Sequence, residues 1–194
     1  MMTLFRAALL AASTLLFPAV APAKDDPYQE AVQTFRDAGE SGKFFGRSYG
    51  YAVFPTVGKG GIGIGGAYGK GRLYRGGNHV GDVTLTQVSV GFQLGGQAYS
   101  EIIFFEKKDF FDDFTSGNFE FAADVGAVAI TLGANARAST AGGASAGASE
   151  NRREAVATGG FHKGIAVFTV AKGGLMYQAA VAGQKFSYKP RGEK

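Results

Sequence analysis

The sequence predicts a β-rich α+β domain: a strongly curved, glycine-rich antiparallel sheet or barrel with a few short helices packed on it. Three observations predict it. From Thr84 to Phe105 the residues alternate with period two. Val88, Val90, Phe92, Leu94, Ala98, Ile102 and Phe104 fall on one side, and Gln87, Ser89, Gln93 and Gln97 on the other, as in a sheet with one buried and one wet face. Gly61, Gly63, Gly65, Gly66, Gly69 and Gly71 crowd a second extended stretch. Glycine weakens an ordinary strand, so this density marks a sheet that bends sharply. Finally, the stretch Tyr49 to Tyr74 has an echo between Ile165 and Tyr188, where Ala-Val-Phe, Thr-Val and Lys-Gly-Gly recur in the same order. One strand design is used twice, too far apart for a solenoid repeat.

In chain order, Arg6 precedes the apolar run from Ala7 to Val20, and the stretch closes on Ala21-Pro22-Ala23. This is the layout of a secretory signal peptide, residues 1–23, cleaved after Ala23. The run is too short for a spanning helix. The expectation is an exported chain, periplasmic or associated with the cell envelope, in which residues 24–194 form a single domain. The chain has no cysteine, so it makes no disulfide, no thiolate metal site and no lipid-modified N-terminal cysteine.

Asp26-Pro27 followed by Tyr28, Val32 and Phe35 predicts a helix with an N-cap, a first-turn proline and one apolar face, closing near Gly39. Ser41 to Arg47 adds a further turn that buries Phe44 and Phe45. Gly95-Gly96 is the expected bulge or coil in the long 84–105 run. Lys107 to Ser116 reads as a second helix, with Phe110, Phe111 and Phe114 on one side and Gly117 as its stop. Asn118 to Leu132 returns to an extended pattern. Residues 133–160 are rich in Ala, Gly and Ser and read as a flexible surface loop, and the last two strands follow through Tyr188.

The net charge is only +4, but its arrangement points to a partner. Between Lys43 and Gly81 stand Lys43, Arg47, Lys59, Lys70, Arg72 and Arg75 with no acidic residue, and from Ala155 to Gly192 five more basic residues are unopposed. If the two Lys-Gly-Gly segments pack as neighbours, their side chains share a surface that favours an anionic partner. The plainer reading is that the lysines keep strand edges from aggregating. On the first reading Lys59, Lys70, Arg72 and Lys172 contact anionic lipid head groups, with Lys185 and Arg75 behind them. Rings among Phe54, Tyr68, Tyr74 and Tyr177 settle at the membrane interface, although Phe54 reads better as a core ring.

Other chemistries find less support. Gly61-Ile-Gly63-Ile-Gly65-Gly66 contains a GxGxxG string, but glycines continue where a nucleotide-binding helix must begin. Gly46-Arg-Ser48-Tyr-Gly50 and Gly143-Ala-Ser145-Ala-Gly147 match GxSxG without the strand-to-helix elbow that exposes a nucleophile. No catalytic residue, metal or cofactor is expected, and Asp109, Asp112 and Asp113 read as a solvated helix face. An exported chain does not meet nucleic acid. Three alternatives stand beside lipid binding: an adhesive or structural envelope protein, an outer-membrane β-barrel, and a cryptic hydrolase built on Ser48 with His79 or His162.

Several strings taken together carry a resemblance. They are Gly50-Tyr51-Ala52-Val53-Phe54-Pro55, Gly58-Lys59-Gly60-Gly61, Gly69-Lys70-Gly71, Gly91-Phe92-Gln93-Leu94-Gly95-Gly96-Gln97, Phe114-Thr115 and Ala171-Lys172-Gly173-Gly174-Leu175. Over roughly Tyr28 to Pro190 the sequence resembles the SYLF domain family, lipid-binding domains with exported bacterial members and eukaryotic members that bind phosphoinositides and actin. The resemblance implies phospholipid binding without catalysis. It supplies no set of contact residues, so the basic positions above rest on charge. Actin belongs to the eukaryotic relatives, and a signal ending in Ala-Pro-Ala is of bacterial type, so actin is not expected as a partner.

Overall fold

The computed structural model describes residues 26–62, 64–90, 96–117, 119–122, 125–130, 160–172 and 181–192. The expected signal peptide, residues 133–159 of the loop expected at 133–160, Gly95 and Tyr177 lie outside the described residues.

Helix α1 (Pro27–Asp37) starts as its sequence dictates: Asp26 caps it by accepting from the Tyr28 N–H at 3.1 Å, and Pro27 occupies the first turn. Its buried residues Ala31, Val32 and Phe35 form one stripe. A single turn, α2 (Gly39–Gly42), follows, and beyond it Phe44 is fully buried and Phe45 half-buried. Then come strands β1 (Gly50–Ile62), β2 (Ile64–Arg75), β3 (Asn78–Val90) and β4 (Gln97–Phe105), helix α3 (Lys108–Thr115), and strands β5 (Phe119–Glu120), β6 (Ala127–Ile130), β7 (Ile165–Lys172) and β8 (Gln184–Pro190).

Among the described residues the eight strands lie in one sheet of order β5-β8-β3-β2-β1-β4-β7-β6. Every pairing is antiparallel except β6 with β7, a departure from the all-antiparallel expectation that the long connection between those two strands permits. Gly76 and Gly77, at φ 56° and 80°, form the two-residue turn joining β2 to β3, where two left-handed residues match the twist of a hairpin. In β1, Val53 pairs with Arg72 and Thr56 with Lys70, so Phe54 and Pro55 together oppose Gly71 alone. This bulge accommodates Pro55, which has no N–H to give a ladder.

The period-two reading of 84–105 needs two corrections. The stretch is not one strand: β3 and β4 end up on opposite sides of the β1–β2 hairpin. In β3, moreover, the odd side is the buried one. Val83, Leu85 and Gln87 are buried, Gln87 at 6% exposure, while Val88 is 78% exposed. Gln87 belongs inside because its Nε2 donates to the Ala182 carbonyl at 2.8 Å, a partner distant in sequence. In β4 every residue from Tyr99 to Phe105 is buried, because both faces of that strand are covered.

Two cores lie on the two faces. On one, Phe54, Val57, Leu73, Leu85, Ile103, Phe105 and Phe186 pack with Phe111 and Phe114 of α3. On the other, α1 and the turn after α2 cover Tyr51, Val53, Ile102, Phe104 and Phe168. Strand β8 is four places from β4 in the sheet, about 19 Å apart if the sheet were flat. Yet the Gln184 side chain of β8 bonds Glu101 of β4 at 3.0 Å. The face with Phe54 and Phe186 is therefore concave, and the face under α1 is the outer one.

The repeated segments flank β4 and run parallel to each other. Ala52 and Val167 both pair with Ile103, and Gly58 and Lys172 both pair with Ala98. The two copies are thus one residue out of register, which turns every side chain to the opposite face. Phe54 lies in the concave core and Phe168 under the helices.

Candidate functional site

The same one-residue offset separates the two lysines of the Lys-Gly-Gly segments. Lys59 alternates with Val57 toward the concave side, where partial burial pulls its pKa below the usual lysine value. Lys172 emerges on the outer face, where its Nζ donates to Thr56 Oγ1 at 3.1 Å. The expected shared surface of both segments does not form around Lys59. It forms around Lys172, Lys70 and Lys185.

Consecutive cross-strand partners trace this surface. Lys172 pairs with Ala98, Ala98 with Gly58, Gly58 with Tyr68, Tyr68 with Thr86, Thr86 with Lys185 and Lys185 with Glu120. Directly opposed residues share a face, so one row crosses seven strands on the outer side, beyond the half that α1 covers. Beside it runs a second row in which Lys70 pairs with Thr56 and Thr84, and Thr84 with Ser187. Lys70 and Lys172 therefore converge on Thr56. Tyr68 is 52% exposed in the first row, and Val88 is its exposed neighbour on the same face. The result is a surface of three exposed lysines, short hydroxyl side chains, an exposed ring and an exposed aliphatic residue.

Arg72 shares this face but has a different task. It is paired with Asp26, the cap of α1, and its guanidinium lies 3.9 Å from the centroid of the Tyr28 ring. These contacts fasten α1 to the sheet. Arg75 lies at the hairpin end of β2, opposite Gly50 and Asn78, away from the lysine rows. Of the expected interfacial rings, Tyr68 is exposed, whereas Phe54 and Tyr74 are core residues. Thr86, Ser187 and Glu120 are not marked by the sequence as contact residues, and Val88 reads there as a buried position. Their signal is alternation with buried neighbours, Thr86 and Val88 with Val83 and Leu85, Ser187 with Phe186 and Glu120 with Phe121, a phase that the face assignment of 84–105 reverses.

The concave side holds a polar cluster within the apolar core. Gln184 Nε2 donates to both Glu101 Oε2 at 3.0 Å and Tyr99 Oη at 3.1 Å, and Thr169 is the cross-strand partner of Glu101. Glu101, Thr169 and Gln184 are completely buried. Glu101 Oε1 and Thr169 Oγ1 have no hydrogen-bond partner among the described residues. Burial pushes the Glu101 carboxyl up to about 8, against the smaller opposing effect of the Gln184 hydrogen bond, and burial also raises the Tyr99 phenol. The acid is cheaper to bury as the neutral form.

Of the strings weighed in the sequence, Gly143-Ala-Ser145-Ala-Gly147 lies outside the described residues. The GxGxxG string spans the β1–β2 connection and continues into a strand rather than a helix, and Ser48 leads directly into β1. His79 packs on Tyr74 with ring centroids 5.7 Å apart and lies 3.2 Å from Asp82. Among the described residues no cluster of three His, Cys, Asp or Glu has metal-binding geometry, and no helix is long and apolar enough to cross a membrane.

Residues 86–190, more than half of the chain, match the family model Ysc84, described as Las17-binding protein actin regulator. The chain belongs to this family, the SYLF domain family. None of the curated proteins compared matches it. The matched part of this SYLF domain begins at Thr86 in β3 and ends at Pro190 in β8. It therefore includes Lys172, Lys185, Glu101 and Gln184, while Lys70 and Tyr68 precede it on the β1–β2 hairpin.

Proposed function

We propose that this SYLF domain is a non-enzymatic, exported protein that binds anionic phospholipid at the uncovered half of its outer face. One observation carries the reading: Lys70, Lys172 and Lys185 share that face with the exposed Tyr68 and Val88. Each lysine near an anionic membrane contributes on the order of 1 kcal/mol, and an aromatic ring beside an aliphatic side chain suits the head-group boundary. The family supports a lipid-binding role, and the signal-like residues 1–23 support placement in the cell envelope. A membrane-spanning barrel is disfavoured by the outer face itself, where α1 and a lysine, threonine and serine pattern stand in place of an apolar band.

The test is flotation of the chain, as the producing cell processes it, with neutral and with anionic vesicles at low and high salt. Binding that needs anionic lipid and fades with salt is expected. Binding to neither vesicle overturns the proposal. Equal binding to both, indifferent to salt, overturns the lysine surface as its cause.

A further inference from the structure

At its β8 end the outer row opens into a cleft of about 330 Å³ lined by Lys185, Glu120, Thr86 and Ser187, with Phe119 and Phe186 also at its lining although both rings pack in the concave core. That volume is at the small end for a ligand site, enough for a polar head group and too little for an acyl chain. Its charges are not of one sign. Lys185 and Glu120 are cross-strand partners with Nζ and Oε2 3.4 Å apart, and both side chains are more than half exposed, so the pair is held weakly and can be exchanged for ligand groups. The positive part of the cleft has hydroxyl donors beside it, in Thr86 and Ser187. The negative part is reinforced by the C-terminal end of α3, where Gly117 also lines the cleft.

A site with a cation and two hydroxyls on one side and a carboxylate on the other, about 5 Å away between side-chain bases, is complementary to a phosphodiester joined to an ammonium by a short bridge. We propose that this cleft binds the head group of a phospholipid carrying a primary ammonium, with the phosphodiester on Lys185, Thr86 and Ser187 and the ammonium on Glu120. A primary ammonium donates N–H bonds to the carboxylate. A quaternary ammonium has none to donate and is held by an aromatic cage, which one buried and one half-buried phenylalanine do not make. The inference rests on the lipid-binding reading above and adds to it a choice of lipid: the lysine rows recognise surface charge, and the cleft recognises one head group.

The test compares vesicles of phosphatidylcholine alone, with added phosphatidylethanolamine, and with added phosphatidylglycerol, using wild type, Glu120→Gln and Lys185→Ala. Phosphatidylethanolamine is expected to raise binding about fivefold over phosphatidylcholine, the worth of one net hydrogen-bonded contact. Glu120→Gln removes that increment while phosphatidylglycerol binding stays level or rises, since Lys185 loses its counter-charge, and Lys185→Ala lowers both. Glu120 is exposed, so its variant keeps the fold, which an unchanged thermal melt verifies. No phosphatidylethanolamine increment, or an increment that survives Glu120→Gln, overturns the cleft and leaves the lysine surface standing. Loss of phosphatidylglycerol binding in wild type overturns the lysine surface instead.

Discussion

Gln184 and Glu101 are four strands apart in the sheet and joined by a 3.0 Å hydrogen bond across its concave face. The bond ties the β8 side of the half-barrel to its centre, and the same amide holds Tyr99. A polar tie inside an apolar core is specific in position, because a slip of either strand leaves buried groups unpaired.

Burial of Glu101 makes stability depend on pH. The Glu101 carboxyl is raised from 4.5 to about 8 on folding, so the folded chain retains a proton that the unfolded chain releases. Stability is greatest below the unfolded value and is lost as pH rises toward the folded one, on the order of 1 kcal/mol per pH unit across that window. Denaturant titrations from about pH 5 to about pH 9 should show this decline in wild type and a flatter profile in Glu101→Gln. Matching profiles would remove Glu101 as the cause.

Gln184→Ala should cost roughly 2–4 kcal/mol, since it strips partners from two buried oxygens and opens a cavity. Urea unfolding reads the loss. A cost below about 0.5 kcal/mol would mean that the tie contributes nothing net.

Two glycines separate packing from propensity. A Cβ at Gly50 would lie 2.6 Å from both the Phe111 ring and the Tyr74 carbonyl, whereas one at Gly58 meets nothing within 4 Å. Gly50→Ala should destabilise by about 1–3 kcal/mol, and Gly58→Ala should be neutral or stabilising by about 0.5 kcal/mol. Comparable losses in the two variants, read as denaturation midpoints, would contradict the packing described.

Arg72 and Lys70 should behave differently although they alternate on one strand and one face. Arg72→Ala is expected to lower stability by about 1 kcal/mol, chiefly through its stacking on Tyr28, because the ion pair with Asp26 is partly solvated. Hydrogen exchange in α1 should rise with it. Lys70→Ala should leave both unchanged and weaken binding to anionic vesicles about fivefold.

These residues also mark what the sequence makes legible. The helices were readable because their signals are local: Asp26-Pro27 with the Tyr28, Val32, Phe35 stripe, and Phe111 and Phe114 ahead of Gly117. Curvature was readable in the glycine density of β1 and β2. The resemblance strings named the family that the 86–190 match shows. Faces were less readable, because they depend on register between segments far apart in the chain. Gln87 is buried because Ala182 meets its amide, and Lys59 and Lys172 diverge because the repeats pair with β4 one residue out of step. The task of Arg72 was hidden for a similar reason, its partner Asp26 lying on another element. The burial of Glu101 does carry a local signal: it opens the run Ile102-Ile103-Phe104-Phe105, and an acid joined to such a run is a candidate for burial.

The most direct measurement compares binding to anionic vesicles by wild type, by Lys59→Gln, and by the triple variant Lys70→Gln, Lys172→Gln, Lys185→Gln. Lys59 serves as the control because it lies on the concave face. The account predicts that the triple variant keeps its thermal melt and loses at least about tenfold in affinity, with Lys59→Gln close to wild type. Undiminished binding by the triple variant, or an equal loss from Lys59→Gln alone, would contradict an outer-face lipid surface.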